Sequence, residues 1–347
     1  MASTDSIATG RNLVTGTLGF VGLHLARALL ADGVAVAGLG RQPGRAPSPP
    51  VAGDFRRRDE AGAGSTRYEG PAGSFAYHEA SLEDGSAVAA VVREVRPSVI
   101  YHLAAQSSAA TSFDDPRGTL ESNLIGTLSL LEAVRKLPAA DRPIVVVAGS
   151  AEEYGPQPPG SAPLTEECPP RPVSPYAVSK AAQTLLCLQY HRAWDVPVVV
   201  ARPFAHTGPG QQPRFAFPAF ARQIAAAEAG RGPAEVVTGD LSPVRDYLHV
   251  LDVVAAYRAL AGHGQPGEVY NICSGTALTM ADGLRILVAA ARVPVTVRRD
   301  PARDRPADAA RLVGDNRKLR LQTGWGPVSD ARIALLDLLD EARKEFA

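Results

Sequence analysis

Residues 15–22 read TGTLGFVG, and they sit between a short apolar run, NLV, and the helically spaced stretch FVGLHLARALLADG. No other segment restricts the fold as strongly. Gly16 permits a tight turn after a strand, Gly19 lets backbone approach a bound group, and Gly22 lets the following helix pack closely. A strand, a glycine turn and a helix in this order place the helix N-terminus, with its unpaired amides and positive dipole end, where a pyrophosphate would lie. The predicted occupant is a dinucleotide, with Leu18, Phe20 and Val21 counted in the same site as Gly16, Gly19 and Gly22.

The rest of the first 200 residues repeats the alternation. VAVAGLG, SFAYHE, SVIYHLAA, PIVVVAGS and PVVVARPF read as strands, and helical patterns separate most of them. Unbroken apolar runs suit strands buried on both faces. The expected fold is therefore α/β, a doubly wound parallel sheet of the Rossmann type, spanning residues 1–203. Residues 42–74 are rich in Gly, Pro and Arg without apolar period, and the expectation is a long, mobile loop. From 204 to 347, Gly- and Pro-rich turns separate short elements, which reads as a smaller α/β substrate lobe. YNIC at 270–273 is placed to return to the first sheet, so the two parts are expected to interleave.

Lys plus Arg and Asp plus Glu are both 36, so the chain carries no net charge to attract nucleic acid or an anionic membrane. No apolar run reaches the ~20 residues of a membrane span. The opening MASTDSIATGRN has no signal-peptide core, and the expected location is the cytoplasm. Cys168, Cys187 and Cys273 are far apart and suit packing rather than a metal or a disulfide framework.

SPYAVSK at 174–180 puts Tyr176 and Lys180 four residues apart near a helix start, hence on one face. A tyrosine has an ordinary pKa of about 10, and a neighbouring ammonium is expected to lower it. The phenol can then exchange a proton with an alcohol or ketone while hydride moves to or from nicotinamide. Ser150, at the end of a strand 26 residues earlier, is placed to hydrogen-bond the same oxygen. It belongs to GSAEEYG, where Glu152 is a candidate base and Glu153 reads as a solvated turn residue. The second strand ends in GLGRQ; Arg41 without a neighbouring acid favours NADP over NAD.

These features together resemble the extended short-chain dehydrogenase/reductase family over nearly the whole chain. Further matches are HLAAQSS (102–108), SNLIGT (122–127), GPGQ (208–211), VRDYLHVLDV (244–253), YNICSG (270–275) and GDNRKLRLQTGW (314–325). They are similar to the nucleotide-sugar-modifying branch that holds GDP-mannose 4,6-dehydratases and GDP-4-keto-6-deoxy-mannose reductases. The resemblance implies an enzyme acting at C4 of a nucleoside-diphosphate sugar. Reduction of a 4-keto-6-deoxy-hexose comes first, a 4-epimerase with recycled cofactor second, and a 4,6-dehydratase third. It adds Leu82, Leu103, Ala104, Ala105 and Asn123 to the cofactor side, with Asn123 holding the active-site geometry. Gln106, Ser107, Ser108, His206, Arg214, Arg245 and Arg311 are the substrate candidates, the arginines for the diphosphate. It also implies a homodimer paired through helices 117–136 and 174–194. Two positions depart from the family pattern: Ala205 stands where Asn is usual, and Ser81 where an acid is usual. His102 reads as a satisfied core histidine, and Trp325 as packing.

Overall fold

The computed structural model describes residues 10–41, 55–58, 65–304 and 311–347. Along the chain the elements run β1 (Asn12–Thr15), α1 (Phe20–Ala31), β2 (Val36–Gly40), β3 (Arg56–Arg58), β4 (Thr66–Gly70), β5 (Gly73–Glu79), α2 (Gly85–Val95) and β6 (Val99–His102). Then follow α3 (Ala109–Asp114), α4 (Pro116–Leu120), a π-helical turn (Glu121–Ile125), α5 (Gly126–Arg135), β7 (Ile144–Ala148), a 3-10 turn (Ala151–Tyr154), α6 (Pro175–Trp194) and β8 (Val198–Pro203). The remainder comprises β9 (Ala205–Thr207), α7 (Ala216–Glu228), β10 (Glu235–Thr238), β11 (Val244–His249), α8 (Val250–His263), β12 (Val269–Ile272), β13 (Ala277–Thr279), α9 (Met280–Ala289), β14 (Thr296–Arg299), β15 (Arg311–Leu312), α10 (Arg317–Thr323) and α11 (Ala331–Lys344).

Nine strands form the main sheet in the order β12-β8-β7-β6-β1-β2-β5-β4-β3. Pairing is parallel from β12 to β5. The strand order reverses between β1 and β6, and the carboxyl ends of these strands open the crevice where such sheets take ligands. The apolar runs of β7 and β8 suit this position, since both strands are buried and their valines feed two cores. One core packs beneath α1 and α8, with Leu23, Leu25, Val253 and Tyr257. The other packs beneath α2, α5 and α6, with Val88, Val92, Leu130 and Cys187. A third cluster, with Phe217, Ile224, Leu284 and Leu338, joins α7, α9 and α11.

The later chain completes the first sheet. β12 pairs with β8, and α8 packs against α1. YNIC therefore does rejoin the sheet.

The expectation of a loop through 42–74 is corrected for the residues described. β3 and β4 pair antiparallel and extend the sheet beyond β5. Their stabilisation comes from aromatic side chains: Tyr68 stacks on Phe75 at 5.4 Å, Phe55 meets Phe75 edge-on at 5.3 Å, and all three are buried. Only one residue of β4, Tyr68, is buried, so the strand carries too little apolar alternation to stand out among glycines and arginines. The remaining part of that expectation, 42–54 and 59–64, lies outside the described residues.

Candidate active site

The turn after β1 is built as the glycines require. Gly16 has φ +69°, and a Cβ there would lie 2.8 Å from the backbone of Ala104, just beyond β6. At Gly22 a Cβ would lie 2.2 Å from the Gly16 carbonyl oxygen. The N-cap of α1 is Gly19, which offers no side-chain cap, and the first turn holds no acidic residue. The amides of this helix end therefore meet no carboxylate from their own first turn, which fits a diphosphate. Leu18, Phe20 and Val21 are half-buried around the turn, as are Leu103, Ala104 and Ala105 after β6. Leu82 is buried against Gly126. Arg41, just past β2, is exposed, and its carbonyl accepts from the Tyr77 hydroxyl at 2.8 Å.

α6 begins with Ser174 as N-cap, its hydroxyl accepting from Ala177 N–H at 3.1 Å, and Pro175 preset for the first turn. This start aims Tyr176 and Lys180 at the end of β7. Both are buried, at 9% and 3% exposure. The Ser150 hydroxyl accepts from Glu152 N–H at 3.2 Å, and it acts on the Tyr176 phenol from the end of β7. Burial and the nearby Glu152 carboxylate push the Tyr176 phenol well above its ordinary value, against the pull of Ser150. The expectation that Lys180 lowers the phenol is not met. Its ammonium reaches inward instead, donating to the Ala148 carbonyl at 2.8 Å and Gln183 Oε1 at 3.0 Å. Burial brings Lys180 itself down to about 8.

Glu152 is half-buried. Glu153 corrects the expectation of a solvated turn: it is fully buried and ion-paired with Arg202 at 2.9 Å. Ser150 and Glu153 form a capping box around the short 3-10 turn. The S-x-x-E spacing of Ser150 and Glu153 was the signal in the sequence that could have revealed this. Arg202, Gln183 and Thr184 carried no such signal.

Asn123 lies in the π-helical turn and is fully buried. Its amide oxygen accepts from Gln106 N–H at 2.8 Å, and its nitrogen donates to the Gln106 carbonyl and to Ser179. It thus clamps the loop after β6 to α6 through contacts within the protein. His102 is satisfied on both sides, by Thr15 and Thr127 at 2.9 Å each, and burial brings it down to about 3.

The substrate candidates divide. Gln106 spends its amide on its own loop, on Ser108 and on Thr119 at 3.1 Å. The Ser108 hydroxyl caps α3 through Thr111 N–H at 3.2 Å. Ser107 is exposed at the crevice and accepts from Arg214 at 3.5 Å, so one residue from each half of the chain meets there. His206 stacks parallel to Phe20 of the glycine turn at 6.1 Å, which ties β9 to the cofactor side. Arg214, Arg245 and Arg311 are the expected diphosphate candidates. In the register, however, Arg245 stands opposite Leu312 and Arg311 opposite Val244, so the pleat sends them to different faces. Asp246, also absent from the expectations, is buried and accepts from the Ser274 and Gly275 amides at 2.7 and 2.8 Å, fixing the turn after β12. Among the described residues no group of His, Cys, Asp and Glu is placed to hold a metal ion, and no helix is long and apolar enough to cross a membrane. Trp325 is buried and donates to the Asp252 carbonyl at 3.1 Å, a packing role.

Known proteins share this architecture. The family model described as GDP-mannose 4,6 dehydratase matches residues 13–333. A GDP-6-deoxy-D-mannose reductase from Pseudomonas aeruginosa is 38% identical over 71% of this chain and 80% of its own. A UDP-glucose 4-epimerase from Mycolicibacterium smegmatis is 31% identical over 91% of this chain and 93% of its own. Among solved structures, RMD from Pseudomonas aeruginosa complexed with NADPH superposes with a TM-score of 0.77 at 32% identity, covering 97% of this chain and all of that one (100%). The glycine turn, the buried Ser150–Tyr176–Lys180 set and these matches make the chain a member of the GDP-mannose 4,6-dehydratase family of extended short-chain dehydrogenase/reductase enzymes.

Proposed function

We propose that this protein is an NAD(P)-dependent oxidoreductase that reduces the C4 ketone of a nucleoside-diphosphate 4-keto-6-deoxy-hexose. The observation that carries the reading is the buried placement of Tyr176 and Lys180 one helical turn apart at the end of β7, where Ser150 lies. A phenol held in its acid form is suited to give a proton to a ketone oxygen rather than to take one from an alcohol. The reductase relative from Pseudomonas aeruginosa supports the same direction. The bound reduced nicotinamide would supply hydride to C4. Tyr176 gives its hydroxyl proton to the C4 oxygen, Ser150 hydrogen-bonds that oxygen, and Lys180 supports the end of β7 through the Ala148 carbonyl.

The backbone of the turn from Gly16 to Gly22 holds the diphosphate of the cofactor, with Leu103, Ala104 and Ala105 along its flank. Arg41, at a strand end without an acid, favours NADP. Residues 1–203 carry the cofactor side and residues 204–347 cover the substrate. Ser107 and Arg214, which meet across that divide, are the best-placed groups for the sugar nucleotide. Exposed Leu120 and Ile125 beside exposed Val178 and Leu185 support a homodimer paired through helices 117–136 and 174–194. The free cysteines suit a cytoplasmic location.

A second reading, 4,6-dehydration, draws on Glu152, a half-buried carboxylate facing Tyr176. One experiment separates the two. Purified protein is given a GDP-4-keto-6-deoxy-hexose with NADPH, and separately GDP-mannose without added cofactor. Oxidation of NADPH on the keto sugar, reduced about 10²- to 10⁴-fold in Tyr176→Phe with cofactor binding retained, supports reduction. Turnover of GDP-mannose alone, lost in Glu152→Gln, would replace it with dehydration.

A further inference from the structure

Behind the catalytic loop lies a buried ion pair that the reaction above does not use. Glu153 Oε1 accepts from the Ser150 N–H at 2.9 Å, and Oε2 accepts from Arg202 Nε at 2.9 Å. The Thr184 hydroxyl lies 3.1 and 2.9 Å from the two carboxylate oxygens. Thr184 is one turn past Lys180 on α6. Arg202, on β8, donates to the Tyr154 hydroxyl at 3.0 Å and lies over the Tyr154 ring at 4.8 Å. Tyr154 in turn donates to Asn271 Oδ1 on β12 at 2.8 Å. One carboxylate thus joins the loop holding Ser150, the helix holding Tyr176 and Lys180, and a strand of the sheet. The backbone leaves room for it: a Cβ at Gly149 would lie 2.6 Å from Glu153 Oε1.

We propose that Glu153 is a positioning residue of the active site, which through its ion pair with Arg202 and its bond from the Ser150 N–H sets the place of Ser150 against the Tyr176 phenol. The inference rests on Tyr176 being the proton donor. A buried carboxylate is costly unless paired: burial pushes Glu153 up, and Arg202 with the Ser150 N–H and the Thr184 hydroxyl favours its charged form. An apolar residue would fill this space at lower electrostatic cost, so the charge calls for a functional account. The groups that act electrically on Tyr176 are Glu152, Glu153 and Tyr257, with Ser150 beside them, and those that act on Lys180 are Glu153, Cys187 and His102. Glu153 holds Lys180 up against the lowering by burial, and it adds to the raising of Tyr176.

Glu153→Gln keeps the shape and an acceptor for Ser150 N–H but removes the charge. Three results are expected. The kcat for the keto sugar falls about ten- to a hundredfold with KM within about twofold, as small misplacements at a reacting centre do. The alkaline limb of kcat moves to lower pH, because Tyr176 loses a negative neighbour. In the substrate-free protein, the Lys180 ammonium, followed by NMR with isotope-labelled lysine, titrates about half a unit or more lower. The double variant Glu153→Leu with Arg202→Met removes the pair without stranding either charge; it is expected to fold and to keep the kcat defect. An unmoved Lys180 titration together with full kcat in Glu153→Gln overturns the proposal. So does recovery of wild-type kcat in the double variant, which would assign the loss to an unpaired Arg202. Full turnover in Tyr176→Phe instead removes the donor assignment, and the Lys180 titration still reports on Glu153.

Discussion

Replacing Gly22 with alanine tests the glycine turn directly. The added methyl would start 2.2 Å from the Gly16 carbonyl oxygen and 2.8 Å from the Thr17 Cα and carbonyl oxygen. Every one of these is backbone, so no side chain can swing aside. Relief to an ordinary contact needs a shift of more than about 1 Å. The turn has little room to give: Gly16 N–H donates to the Leu39 carbonyl at 2.8 Å, Gly19 N–H donates to the Gly16 carbonyl at 2.9 Å, and Gly16 itself abuts Ala104. Overpacking of this kind costs about 1–3 kcal/mol of stability. A misplacement of that size at a binding backbone costs roughly a hundredfold in function. The assay is a thermal melt beside a fluorescence titration with NADPH and NADH. The expected result is a melting point lowered by a few degrees and cofactor affinity lowered about a hundredfold. Wild-type affinity in a Gly22→Ala protein with an unchanged melting point would refute the assignment of this turn to the cofactor.

Gly262, near the end of α8, supplies the contrast. Nothing lies within 4 Å of its would-be Cβ, and Gly262→Ala is expected to leave cofactor affinity unchanged and raise stability by up to about 0.5–1 kcal/mol, read by the same melts. His102 predicts an acid dependence. Its folded value, about 3, lies below the ordinary 6.5, so the unfolded chain binds the proton first as pH falls. The contribution is complete above about pH 6.5 and is lost progressively down to about pH 3, with an upper bound of about 5 kcal/mol. Denaturant melts of wild type and His102→Gln across that window should differ in slope, and equal slopes would mean that His102 does not titrate with folding.

Much of the site was legible because its signals are local. Gly16, Gly19 and Gly22 answer to backbone geometry within eight residues, and Tyr176 and Lys180 to one helical turn. The parallel strands were legible for a related reason: burial on both faces demands unbroken apolar runs such as IVVVA and VVVA. β3 and β4 escaped notice because a short edge extension buries few side chains, and its stability depends on Tyr68 meeting Phe75 across the sheet. Gln106 and Ser108 sit at the crevice as expected, yet their polar groups close the loop on itself, which no spacing reveals.

What the chain determines by itself is therefore the alternating architecture, the glycine turn and the candidate set of Ser150, Tyr176 and Lys180. The tertiary structure alone decides the electrical state of that set. Glu153 reads as solvated until β8, lying beside β7, brings Arg202 across 49 residues to meet it. Lys180 reads as a partner of Tyr176, yet two of its three N–H donors go to the end of β7 and to Gln183. Local periods report which face a residue occupies; the charge it meets there belongs to whichever distant strand the sheet places next to it.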